Sequence, residues 1–161
     1  MTEPAHRKLD GLAEYADAID EIIGLAKRHI HIFDYSLENM AFNSVARYDA
    51  LHAFLIANAQ NRLSIVVKDS DYLDRHCPRM ITLLKRFGHN MAINRTRNEA
   101  ADACDPFCVV DGEHFVRRFH FDDSRGIFAM CDPHEARMLE MRFEQIWEAS
   151  ETAIYGDLAG L

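Results

Sequence analysis

The chain has no apolar run approaching the ~18–20 residues needed to cross a bilayer. Its polar opening, MTEPAHRKLD, lacks the apolar centre of a secretory signal. A cytoplasmic protein with no membrane segment is therefore expected. Proline and glycine are sparse, 4 and 7 in 161 residues, which excludes a collagen-like or low-complexity chain. The four cysteines, Cys77, Cys104, Cys108 and Cys131, include no C-x-x-C pair. A chain of this length buries enough surface to fold without cross-links or a metal, so reduced, mostly buried thiols are expected. Positive charge is in deficit: 18 Lys and Arg stand against 26 Asp and Glu, a net −8. That balance disfavours a broad nucleic-acid surface, where neutralised phosphates dominate affinity. It leaves room for one local basic pocket.

What remains is an ordinary globular composition of one-domain length. Leu12, Tyr15, Ile19, Ile22, Ile23 and Ala26 recur at helical spacing and predict a helix over about 9–28. In HIHIFDYS (29–36), Ile30 and Ile32 share one face while His29, His31, Phe33 and Tyr35 share the other, the period of a strand. After the loop LENMAFNS, Ser44 is placed to cap a helix over about 45–59. RLSIVVKD (62–69) reads as a strand, and Pro78 opens a helix that Gly88 closes. HNMAINRT (89–96) is a third strand. FCVV and EHFVRRF flank Asp111-Gly112, a hairpin signature, and RGIFAM (125–130) follows as another strand. Asp132-Pro133-His134-Glu135 marks the start of a last helix, running to about Ala153. Strands alternating with helices imply an α/β sandwich with a mixed, largely parallel sheet. Its ligand site is expected at the carboxyl ends of the parallel strands: Asp34, Tyr35 and Ser36; Lys68 and Asp69; Arg95 and Thr96.

On these residues the chain resembles a single repeat of the phospholipase D-like fold. The resemblance runs through HIHIFDYS, RLSIVVKD, LLKRFGHNMAINRT, DACDPFCVVDGEHFVRRF and the closing FEQIWEAS with Phe143 and Trp147. It covers about residues 9–150 of one domain spanning 1–161, with 151–161 as a short C-terminal tail. It points to a bacterial branch that lacks the motif His-x-Lys-x-x-x-x-Asp. In active relatives that His is the nucleophile and that Lys binds phosphate. Aligned on Asp111, their positions fall on Cys104 and Pro106, and a proline ring carries neither charge nor proton. The resemblance thus implies the fold and argues against phosphodiesterase chemistry. Active members build one site from two repeats, so it also implies a homodimer, the commonest soluble assembly.

The expectation is a non-catalytic binding or assembly module that leans away from enzyme chemistry and needs no cofactor. Its candidate ligand-binding residues are Asp34, Ser36, Arg95, Asp111, Arg117 and Arg118, and its candidate ligand contains phosphate. Arg forks suit phosphate, but residues 95–125 hold more carboxylates than arginines, so local salt bridging competes with that role. Arg117 and Arg118 should point to opposite faces of their strand, one of them neutralising Asp111. Asp34 and Ser36 serve a ligand or merely close a turn. Two alternatives stay open. One is a binder of phosphate ligands or nucleic acid. The other is an enzyme of altered chemistry in which Cys104, His114 or His120 works around Asp111. A metal held by His29, His31, His114 or His120 is not favoured, because no ligand spacing supports it.

Overall fold

Short β-branched runs and amphipathic stretches assemble as the periodicities require, with additions at both edges. The structure is a computed structural model and describes residues 3–154. Its strands are β1 (Ala5–Asp10), β2 (His29–Asp34), β3 (Arg62–Val67), β4 (Met91–Thr96), β5 (Phe107–Val110), β6 (His114–Arg118), β7 (Arg125–Met130) and β8 (Ser150–Ile154). Its helices are α1 (Leu12–Leu25), α2 (Val45–Ala57), α3 (Asp71–His76), α4 (Pro78–Arg86) and α5 (Pro133–Glu148). No helix among the described residues is long and apolar enough to cross a membrane.

The strands form one sheet in the order β1-β7-β6-β5-β2-β3-β4-β8. The class is α/β and the sheet is mixed, as expected, but it is mostly antiparallel rather than largely parallel. Among neighbours only β2–β3 and β3–β4 run parallel, their connections made through α2 and through α3 and α4. α1 and α5 also lead into strands, β2 and β8, that are not placed beside the strands they leave. β5, β6 and β7 follow one another antiparallel. The Asp111-Gly112 turn makes the first return, with positive φ at both residues (57° and 63°). The outermost strands carry no hydropathic signal. Leu9 alone is buried in β1 and Ile154 alone in β8, so neither alternates like a strand with one covered face. β8 occupies the first part of the expected tail, where the last helix was predicted to continue; residues 155–161 lie outside the described residues.

Two apolar layers sandwich the sheet. On one side Tyr15, Ile19 and Ile22 of α1, Leu51 and Leu55 of α2, and Met80 and Leu83 of α4 join Ile30, Ile32, Leu63 and Ile65. On the other, α5 lays Ala136, Leu139, Phe143 and Ile146 over Phe33, Val66, Phe107 and Val109. The alternation in β2 decides this partition: Ile30 and Ile32 face α1, while His31 stacks on Phe143 with ring centroids 4.5 Å apart. Asp132 caps α5 by accepting from the Glu135 N–H, and Ser44 caps α2 through the Arg47 N–H. Cys77 and Cys108 are buried, Cys104 and Cys131 half-buried, and all four are free thiols.

Arg47 is wholly buried, which a hydropathy pattern cannot anticipate. Its Nε donates to Asp20 (2.7 Å), its two terminal nitrogens donate to the Met40 and Ala16 carbonyls (2.9 and 3.1 Å), and it lies over the Phe42 ring. The loop it grips carries positive φ at Leu37, Asn39 and Ala41, which L residues adopt only at a cost. Arg47 thus ties this loop to α1. Arg47→Ala should lower the unfolding free energy by about 2–4 kcal/mol, since it removes three hydrogen bonds, leaves the Met40 carbonyl without its donor and opens a cavity. Arg47→Lys should recover little, because one ammonium cannot reproduce the planar fork. Urea denaturation measures both; a loss under about 0.5 kcal/mol for the alanine variant would refute the role.

Candidate ligand-binding site

β2 ends at Asp34, and the sheet topology decides what meets it there. β5 runs antiparallel to β2 with Phe107 opposite Phe33, and β6 runs antiparallel to β5 with Arg117 opposite Phe107. The end of β6 therefore arrives beside the end of β2, although 84 positions separate Asp34 from Arg118 in sequence. Alternation sends the two arginines to opposite faces, as expected. Arg117 turns toward α5, where its Nη2 lies 3.9 Å from Asp105, a carboxylate already held two-pronged by Arg142. Arg118 passes under α1, its guanidinium 5.2 Å from the centre of the Tyr15 ring.

A cleft of about 420 Å³ opens at this end of the sheet, lined by Asp34, Tyr35, Ser36, Glu38, Asn39, Met40, Arg118, His120, Phe121, Asp122 and Leu12. Two of its charged groups are almost sealed from solvent: Asp34 is 5% exposed and Arg118 4%. Asp34 Oδ1 accepts from the Tyr35 N–H at 2.6 Å. Burial pushes its carboxyl up to about 6, with the Arg118 charge and that N–H pulling the other way. Burial, and then the Asp34 charge, hold the Tyr15 phenol well above its ordinary range. Arg118 donates from Nη2 to the Phe121 carbonyl (3.1 Å), while its Nε is buried with no partner among the described residues. A guanidinium with five N–H donors is thus left under-used.

The other candidates divide. Ser36 sits in the cleft, yet its Oγ accepts from the Glu38 N–H and so closes a turn. Arg95 lies two strands away on β4, near Glu151 of β8 at 3.8 Å, and does not line the cleft. Asp111 is at the opposite end of the sheet. Its carboxylate accepts the N–H groups of Lys27, Arg28 and His29 at 2.8, 2.8 and 2.9 Å. The expectation that Arg117 or Arg118 neutralises it is therefore corrected: the Asp111-Gly112 turn opens the hairpin, and β6 carries both arginines away from it. Cys104 and Pro106 do lie at the cleft end. Their carbonyls accept from the Phe121 and Arg118 N–H groups at 2.8 and 3.0 Å. His114 Nδ1 accepts from the Cys131 N–H, and His120 Nδ1 from the Asp122 N–H. Among the described residues, no hydrogen bond joins Cys104, His114 or His120 to Asp111 or to one another. His31 instead meets Glu140 at 2.7 Å. Sequence reasoning missed Glu38, Asn39 and Asp122 as wall residues and Arg47 as the anchor of the wall. Each depends on a loop conformation that no local pattern announces.

This mixed sheet, covered by helices on both faces and with a polar cleft at the end of β2, has the fold of solved phospholipase D-like α/β domains. Its likeness to solved structures supports this. The chain resembles Nuc, a phospholipase D family member from Salmonella typhimurium, with a TM-score of 0.67 and 15% identity over 94% of this chain and 99% of that one. It resembles NucT from Helicobacter pylori with a TM-score of 0.61 and 13% identity over 94% of this chain and 100% of that one. It also resembles TrmBL2, an archaeal chromatin protein described as showing a novel mode of DNA binding. There the TM-score is 0.69 at 14% identity over 92% of this chain, which spans 54% of that protein. At these identities the likeness is one of fold. Residues 11–155 match the family described as Domain of unknown function (DUF7931), and the chain belongs to that family. No curated protein matches it.

The folded Asp34 carboxyl holds its proton more tightly than the ordinary value of 3.8, so ionisation works against folding. Its favourable contribution is complete below pH 3.8 and is lost as the pH rises through about 6, on the order of 3 kcal/mol in all. Asp34→Asn should therefore melt at higher temperature than wild type at pH 7.5, with the gap closing below pH 4; a gap independent of pH would contradict this. Asp111→Ala, which strands three amides, should cost about 2–4 kcal/mol in urea denaturation. A near-neutral result would remove its structural role.

Proposed function

We propose that this domain is a non-catalytic phospholipase D-like binding module that takes a small anion-bearing ligand, such as a phosphate-containing one, in the cleft at the end of β2. The observation that carries this reading is Arg118, a nearly sealed guanidinium that lines the cleft and makes one hydrogen bond. A buried charge so poorly partnered is costly unless a ligand supplies acceptors. Arg118 and Asp34 are the principal ligand residues, with Ser36 at the lip; Arg95 and Asp111 have other partners, and Arg117, whose Nε is also buried without a partner among the described residues, faces Asp105 away from the cleft. With the sequence aligned on Asp111, Cys104 and Pro106 fall at the positions of the family's nucleophilic imidazole and phosphate-binding ammonium, and a thiol and a proline ring there support the reading of binding without turnover. Nucleic acid is disfavoured by the net charge of −8 and by the carboxylates Glu38 and Asp122 in the cleft.

The module is further proposed to act as a homodimer. Tyr35 and Phe119, large side chains about half exposed at this end of the sheet, support a partner surface there. Phe121, the other aromatic of that strand end, is half-buried against Tyr35 and Phe33.

Calorimetry with phosphorylated small molecules should register an affinity that falls at least tenfold in Arg118→Gln and stays within twofold in Arg117→Gln. An unchanged affinity in Arg118→Gln would exclude the cleft. Incubation with a chromogenic phosphodiester should release no product; robust cleavage abolished by Cys104→Ala would replace the binding module with an enzyme. Sedimentation at micromolar concentration should give a dimer that Phe119→Asp weakens, and a wild-type monomer would remove the assembly role.

A further inference from the structure

The charges around the cleft are unbalanced in a way that narrows the ligand further. Asp34 and Arg118 are each more than nine-tenths buried and line the same cavity, yet they form no ion pair. Among the described residues, the Asp34 carboxylate takes the Tyr35 N–H alone and the Arg118 guanidinium gives a single bond, to the Phe121 carbonyl. Opposite charges this poorly solvated attract strongly and gain most from contact. Each is instead held by its own side of the cleft: Arg118 by the Tyr15 ring and the Phe121 carbonyl, Asp34 by the turn at Tyr35. The remaining lining is acidic. Besides Asp34 and Arg118 the cleft carries Glu38 and Asp122, so carboxylates outnumber the guanidinium, and a ligand that brings an ammonium with its anion is the better match. Beside Asp34, the Tyr35 and Phe121 rings meet edge to face at 5.5 Å. Phe121 already carries one ammonium near its ring, that of Lys68 at 5.9 Å.

We propose that the cleft selects a zwitterion, with an oxyanion seated on Arg118 and a primary ammonium seated against Asp34 and the neighbouring aromatic rings. This rests on the cleft being the binding site. The ligand would complete two hydrogen-bonding sets at once and relieve both buried charges, which neither half alone achieves. A volume of about 420 Å³ lies at the small end of ligand sites and suits an amino acid or an aminoalkyl phosphate. Both supply the same pair of charges, carboxylate or phosphate at one end and ammonium at the other.

The test compares whole ligands with their halves on the full chain by calorimetry and thermal shift. The probes are glycine, β-alanine, γ-aminobutyrate and O-phosphoethanolamine, against acetate, inorganic phosphate and propylamine. At least one zwitterion should bind ten times more tightly than the better of its halves. The amino-acid series reads the separation of the two seats, and O-phosphoethanolamine distinguishes phosphate from carboxylate. Asp34→Asn should abolish the advantage of the zwitterion while retaining the affinity for the half-anion; Arg118→Gln should abolish both. If inorganic phosphate binds as tightly as any zwitterion, this inference falls and the anion-binding cleft stands. If no probe binds or shifts the melting temperature, both fall. The comparison of wholes with halves uses the wild-type chain, so it decides the matter even where a variant fails to fold.

Discussion

The Asp111 carboxylate closes on three consecutive amides at the start of β2, and the register secured there governs the other end of the sheet. Side chains on a strand alternate with period two, so a slip of one residue would exchange every inward group for an outward one. Slipped by one, β6 would send Arg117 under α1 and Arg118 toward Asp105. The pairing of Phe33 with Phe107 and of Phe107 with Arg117 excludes that arrangement. Gly126 reinforces it from the far side of β6, where an added Cβ would strike the Arg117 carbonyl. The carboxylate fastens the end of β5 to the start of β2, and the turn at Asp111-Gly112 leads into the β5–β6 pairing that leaves Arg118 on the cleft side.

Two buried arginines illustrate opposite uses of the same chemistry. Arg47 is satisfied: a carboxylate, two carbonyls and an aromatic ring surround it, and its work is to hold a loop of left-handed residues in place. Arg118 is not satisfied, and it lines a cleft. The loop that Arg47 fastens provides Glu38, Asn39 and Met40 to the same cleft. Arg47 thus fastens one wall of the cleft that Arg118 lines, and a wall held in place lowers the ordering cost of any ligand that binds there.

In the phospholipase D-like architecture, fold and chemistry reside in different residues. The sheet is held by Ile30, Ile32, Phe33, Val66, Phe107 and their neighbours, none of which reacts with anything. The segment around Cys104 and Pro106 contributes backbone carbonyls to Phe121 and Arg118, a role that depends little on side-chain identity. At the end of β2, Asp34 and Arg118 supply the buried charged groups of the cleft.

Much of the fold was legible in the chain, because burial leaves a periodic trace. The alternation of His29, Ile30, His31, Ile32 and Phe33, the helical spacing of Tyr15, Ile19 and Ile22, and the Asp132-Pro133 start of α5 each follow from local geometry, and each is found. The edge strands were not legible, since β1 and β8 bury one residue apiece and leave no pattern to read. Of the site, Asp34 was visible as a strand end and the opposed directions of Arg117 and Arg118 followed from the pleat. Which arginine meets Asp34, and that Asp111 faces backbone amides rather than a cation, depended on strand order and register across the whole sheet. Those are set by long-range pairing, in which residues far apart in the chain become neighbours, and a local pattern of hydropathy carries no record of it.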